Sequence, residues 1–105
     1  MEIAAACLEP ENLYNLITGT VVPRPIAWIS TLSKDGFVNL APFSYFNAIS
    51  EEPPTIMFSA GLRDGCNKDT VQNILDMGEF VFNMVTIDLV EAMNATAVDS
   101  PSSVS

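Results

Sequence analysis

The chain has 105 residues, with 4 Lys plus Arg against 13 Asp plus Glu, a formal charge of −9, no histidine and a hydrophobic fraction of 49%, a composition that describes one globular domain, residues 1–105. The missing histidine closes Ser-His-Asp and Cys-His hydrolase chemistry and His-based zinc sites to this chain. An acidic balance this strong leaves no basic face for polynucleotide phosphates and repels anionic membrane surfaces, so neither nucleic acid nor membrane is an expected partner.

At the N-terminus, Ala4-Ala5-Ala6-Cys7 has the look of a lipoprotein cleavage box. Met1-Glu2-Ile3 offers neither a basic leader nor an apolar run, so no signal peptide is expected. Cys7 and Cys66 have no C-x-x-C spacing and read as thiols of a cytoplasmic protein. Nowhere does the chain approach the ~18 consecutive apolar residues that span a bilayer.

The first periodic segment, Glu9 to Ile17, predicts a short helix with Leu13, Leu16 and Ile17 on one face, Pro10 in its first turn and Gly19 at its end. Pro23-Arg24-Pro25 favours an extended approach, and Ile26 to Leu32 reads as a first strand. Trp28 is expected in the core. Ser33-Lys34-Asp35-Gly36 is hairpin-turn chemistry, and a second strand runs from Phe37 to Asn47, interrupted by Pro42. After Glu51-Glu52-Pro53-Pro54, Thr55 to Ser59 forms a mostly apolar third strand expected to be buried on both faces.

A loop, Ala60 to Lys68, leads to a helix capped by Asp69 or Thr70, carrying Val71, Ile74, Leu75 and Met77 inward and stopping at Gly78. Phe80 to Val85 is the fourth strand. Asp88 caps a last helix through about Ala97 that turns Leu89, Ala92 and Met93 inward, and residues 99–105 read as a disordered tail. Met57, Met77, Met84 and Met93 read as core filler. A hairpin followed by strands separated by helices predicts a mainly β fold with peripheral helices, an antiparallel barrel or sandwich in the α+β class. Four strands are too few to close a barrel, so a partner or further sequence must complete it.

Chemistry concentrates in two places. Arg63 and Lys68, half of the basic residues, flank the start of the second long helix, where unpaired N–H groups can hold a phosphate together with Thr70 or Ser59. Taken alone, this loop reads more readily as solvated ion pairs. The second place is Asn39-Leu40-Ala41-Pro42-Phe43-Ser44-Tyr45-Phe46-Asn47, where Pro42 frees backbone groups to read the rim of a flat heteroaromatic ring such as a flavin, while Ser44 and Asn47 add side-chain hydrogen bonds. Taken alone, its aromatics read as barrel core. Arg24 can reach a cofactor phosphate or a partner carboxylate, although exposure is the default for an arginine between two prolines.

Together, Thr18-Gly19-Thr20-Val21-Val22-Pro23-Arg24-Pro25-Ile26-Ala27-Trp28-Ile29-Ser30-Thr31, Asp35-Gly36, Asn39 to Asn47, Ser59, Arg63-Asp64-Gly65 and Lys68-Asp69-Thr70 resemble the flavin reductase family with an FMN-binding split barrel. Flavoredoxin and the reductase components of two-component monooxygenases belong to it, and the resemblance runs from about Leu13 to Pro101. It implies a split β-barrel, a homodimer with FMN near the subunit interface, and NADH or NADPH as electron donor. The flavin would be lined by Ser30, Thr31, Ala41, Phe43, Ser44, Phe46 and Asn47, and its phosphate met by Ser59, Arg63, Lys68 and Thr70. The resemblance further implies hydride transfer from the nicotinamide to the flavin, which asks for no catalytic side chain. A monooxygenase or other electron-transfer partner would take the electrons. Family members continue past the equivalent of Pro101, so the resemblance covers an amino-terminal portion, and an incomplete barrel is expected to self-associate through exposed edges. An FMN-binding module without turnover, and an inactive fragment that binds nothing, are the alternatives.

Overall fold

The computed structural model describes residues 1–62 and 65–97. Arg63 and the expected tail at 99–105 lie outside them. Helix α1 spans Pro10–Thr20, followed by strands β1 (Ala27–Leu32), β2 (Val38–Phe43), β3 (Phe46–Glu51) and β4 (Pro54–Phe58), helix α2 (Asp69–Met77), strand β5 (Val81–Asn83) and helix α3 (Val90–Ala95).

Asp35-Gly36 makes the expected hairpin. Gly36 takes φ +89°, a conformation that favours glycine, and β1 pairs antiparallel with β2 from Ala27 opposite Phe43 to Leu32 opposite Val38. Strand β5 adds antiparallel to the other side of β1, giving a three-stranded sheet in the order β2-β1-β5, while β3 and β4 form a separate antiparallel pair. The segment expected as one strand from Phe37 to Asn47 is therefore two, and the break falls at Ser44-Tyr45 instead of Pro42. Pro42 stays in β2 opposite Trp28, tolerated because β2 is an edge strand and can turn a missing N–H away from its partner. Five strands result, in two sheets, and no closed barrel forms among the described residues.

The core gathers on the face of the larger sheet that holds Ala27, Ile29 and Phe43, with Ala41, Phe46, Phe58, Ala60, Phe80 and Phe82 packed against it. Two ring pairs link the two sheets, Phe43 to Phe58 at 4.7 Å and Phe46 stacked on Phe82 at 5.2 Å, and Phe58 also meets Phe80, just before β5, edge-on at 5.4 Å. Trp28 points to the opposite face and is buried as expected, its Nε1–H donating to Thr96 Oγ1 at 3.0 Å beside Met93 at the end of the chain's last described helix.

Several expectations about sidedness are corrected. Helix α1 runs through Gly19 to Thr20, with Leu16 and Ile17 exposed and only Leu13 of the expected face half-buried. Strand β4 is exposed for most of its length instead of buried on both faces, because it pairs only with β3 and nothing described covers its outer side. Helix α2 stops at Gly78, whose φ of +75° fits the left-handed C-terminal position, but its cap position is Lys68, and neither Asp69 nor Thr70 caps it. It buries Thr70 and Asn73 and leaves Leu75 and Met77 exposed. Asp88 lies inside a short 3₁₀ turn before α3, where Met93 is buried while Leu89 and Ala92 are exposed. Of the four methionines read as core filler, Met93 alone is buried.

Candidate functional site

Directly opposed residues of paired strands share a face, so Thr31, Asn39, Ala41 and Phe43 lie together on the core side of the hairpin. Helix α2 seats its first turns on this face through polar groups. Asn73 Nδ2 donates to Thr31 Oγ1 at 3.0 Å, and Asn39 Nδ2 donates to Thr70 Oγ1 at 2.7 Å. Thr31, Asn73 and Thr70 are all buried, Thr70 to 2% exposure. These bonds explain why α2 turns a polar stripe inward. Thr70 and Asn73 are three positions apart, hence on one helical face, and the donors and acceptors they meet are already on the strand.

The seating brings Lys68, at the cap position of α2, over the ring of Phe43, with Nζ 5.9 Å from the centroid. At this distance an ammonium is attracted by the ring's quadrupole. Lys68 makes no side-chain cap bond and Asp69 follows it in the first turn of α2, so a cation, a carboxylate and the edge of a core ring meet at one end of the sheet.

The remaining expected residues divide. Phe46 joins the core through Phe82, and Ser44 sits in the turn between β2 and β3. Ser59 is exposed directly after β4, its N–H donating to the Tyr45 carbonyl at 2.8 Å, which places it beside that turn. Asn47 is exposed, and its Oδ1 accepts from the Ala48 N–H at 2.8 Å, so it spends that oxygen on its own backbone. Ser30 stands apart: it lies on the face opposite Thr31, and its hydroxyl accepts from Asn83 Nδ2 at 3.2 Å. Arg24 is half-buried and engaged locally. Its Nη1 donates to the carbonyls of Thr18 and Val21 at 3.1 and 2.6 Å, and its guanidinium lies 5.6 Å from the centre of the Tyr45 ring, tying the end of α1 to the β2–β3 turn.

Sequence reasoning missed Asn39, Asn73 and Asn83 as hydrogen-bonding residues. Two of them were within reach of counting: the register through Asp35-Gly36 sets Asn39 opposite Thr31, and helical spacing sets Asn73 beneath Thr70. The third depends on β5 joining β1, a long-range pairing with no local cue.

Residues 18–105 match the family described as flavin reductase like domain. The chain belongs to that family. It is 49% identical over 102 residues to an uncharacterised Aquifex aeolicus protein, covering 96% of this chain and 52% of that one. Among solved structures it is similar to nitrilotriacetate monooxygenase component B from Bacillus cereus, with 36% identity, a TM-score of 0.93, and coverage of 99% of this chain and 52% of the other. A Shewanella frigidimarina protein with a split barrel domain matches at 20% identity and a TM-score of 0.77, over 98% of this chain and 52% of its own, a likeness of fold. The flavin reductase-like chain thus spans about half the length of the relatives it matches, and its two sheets are part of a split barrel. No helix among the described residues is long and apolar enough to cross a membrane.

Proposed function

We propose that the protein is an FMN-binding flavin reductase or flavoredoxin-type oxidoreductase that takes hydride from NADH or NADPH, works as a homodimer in the cytoplasm, and passes electrons to a monooxygenase or another acceptor. The observation that carries this reading is the seating of α2, which brings Lys68 over Phe43 at the start of the helix in a chain of the flavin reductase-like family. Lys68, Arg63, Ser59 and Thr70 would hold the phosphate, and Thr31, Ala41, Phe43, Ser44, Phe46 and Asn47 would lie along the ring. The Bacillus cereus neighbour is itself a monooxygenase component, which supports a partner of that kind.

When bound, the flavin supplies the hydride-accepting ring, and the chain supplies binding, orientation and electrostatics. Lys68 holds the anionic end by charge at short range, because the net charge of −9 works against capture of anions from a distance.

The test is a visible spectrum of the purified protein after incubation with FMN and desalting, followed by anaerobic NADH and then NADPH. Retained yellow colour that bleaches supports the reading. Colour that persists unbleached reassigns the protein as a binding module, and a colourless protein overturns the reading altogether. Lys68→Ala combined with Arg63→Ala should weaken FMN far more than riboflavin, and equal losses would remove these side chains from the phosphate.

A further inference from the structure

The three-stranded sheet has a second face, opposite the one that α2 covers. The register places Leu32 beside Val38, Ser30 between Leu40 and Val81, and Trp28 beside Asn83 on it. Helix α3 shelters the Trp28 end through the bond to Thr96. The other end is bare: Leu32, Val38 and Val81 are 42%, 50% and 58% exposed. None of these residues is charged, on a chain that carries 13 acidic residues and a charge of −9. Lys34 and Asp35, in the turn between β1 and β2, and Glu79, just before β5, stand at the rim. An apolar centre free of charge inside a charged rim is the anatomy of an interface.

Two polar groups lie within this face. Asn83 Nδ2 donates to the Trp28 carbonyl at 3.0 Å and to Ser30 Oγ at 3.2 Å. A carbonyl oxygen only accepts, so the amide nitrogen must face it and Asn83 Oδ1 must point away. Oδ1 has no partner among the described residues and is open to solvent, since Arg24 Nε is the one buried side-chain polar atom there without a partner. Ser30, having accepted from Asn83, still has its own hydrogen to donate. A surface that covers the apolar residues must therefore return a donor and an acceptor, and a copy of the same face turned by a twofold rotation returns both. Charge favours a copy as well. Two chains of −9 repel wherever their acidic surfaces meet, and an uncharged face lets them approach at least cost, whereas a basic partner would be drawn to the acidic surfaces elsewhere.

We propose that two copies of this chain pack face to face through the bare end of this sheet, with Leu32, Val38, Leu40 and Val81 as the apolar centre and Ser30 of each copy donating to Oδ1 of Asn83 of the partner subunit. The inference rests on the homodimer in the reading above and assigns its interface.

The experiment is sedimentation velocity on the purified chain over a concentration series at low and high salt, with far-UV circular dichroism and FMN binding measured alongside. The unaltered chain should dimerise, and more tightly at high salt, because screening weakens the repulsion between like-charged copies. Val38→Lys and Val81→Lys should each weaken the dimer at least about tenfold by placing an ammonium in the apolar centre, although lysine also lowers the net negative charge. Both positions are exposed in the single chain, so these variants should fold; where one does not, Val38→Thr or Val81→Thr replaces it and should weaken the dimer in the same direction. Ser30→Ala should weaken it about tenfold by removing the exchanged bonds, and Leu75→Lys, on the exposed side of α2, should leave it unchanged. Association undiminished by Val81→Lys or by Ser30→Ala, or abolished by Leu75→Lys, overturns the inference. A chain that stays monomeric up to about 1 mM also overturns it, and leaves the face to the additional polypeptide of the longer relatives. FMN bound and bleached by a monomer keeps the flavin reading without this interface, and a dimer that binds no FMN keeps the interface without the flavin reading.

Discussion

Replacing Asn73 with alanine tests the polar seating of α2 on the sheet. Asn73 and Thr31 are 7% and 5% exposed, and the carboxamide donates to the hydroxyl at 3.0 Å. Truncation removes that bond and leaves Thr31 Oγ1 buried without its donor, a loss of about 1–3 kcal/mol. With a urea slope of about 1–3 kcal/mol per molar for a small protein, the unfolding midpoint should fall by roughly 1 M. Urea is the denaturant of choice, because a guanidinium salt would screen the self-repulsion of a chain carrying −9. Thr31→Val alone should cost a similar amount by orphaning the carboxamide. Thr31→Val with Asn73→Leu removes donor and acceptor together, so the double variant should be less destabilised than the sum of Thr31→Val and Asn73→Leu by about 1–2 kcal/mol. Costs that add to within about 0.5 kcal/mol would show that the two groups do not interact and that the helix is held by something else.

Ile29→Ala should cost about 2–5 kcal/mol in the same assay, because Ile29 is fully buried at the centre of the core face and the sheet cannot close over the gap. Trp28→Phe should lose about 1 kcal/mol with the bond to Thr96, and Thr96→Val in that background should add little further loss from this contact. Leu75→Gln should change stability by less than about 0.5 kcal/mol, since its side chain is 67% exposed, and a larger loss would mean that the apolar groove it shares with Ile56, Met57, Phe58, Ile74 and Phe80 is covered in solution.

Much of the local structure was legible. The Asp35-Gly36 hairpin, the first strand, the helix starting at Pro10 and the helix ending at Gly78 all follow from turn, capping and propensity preferences that act over a few residues. The convergence of Phe43 and Lys68 was legible only as two separate segments, each of which alone read better as ordinary core or ordinary surface. Sidedness was misjudged wherever burial depends on a distant neighbour. Leu75 and Met77 sit at helical spacing, yet α2 turns Thr70 and Asn73 inward because Asn39 and Thr31 wait on the sheet with matching hydrogen-bonding groups. Strand β4 is apolar enough for a buried position, but its only described partner strand is β3.

By itself, the sequence determined most of the elements and the family: backbone preferences are local, and an ordered series of motifs survives without knowledge of packing. Tertiary structure alone decided that β5 joins β1, that Ser30 and Thr31 part to opposite faces among different partners, and that three asparagines hold the framework together. The physical reason is distance along the chain. Asn83 is 53 residues from Ser30, Asn73 is 42 from Thr31 and Thr70 is 31 from Asn39, so these bonds exist only after the chain has folded back on itself.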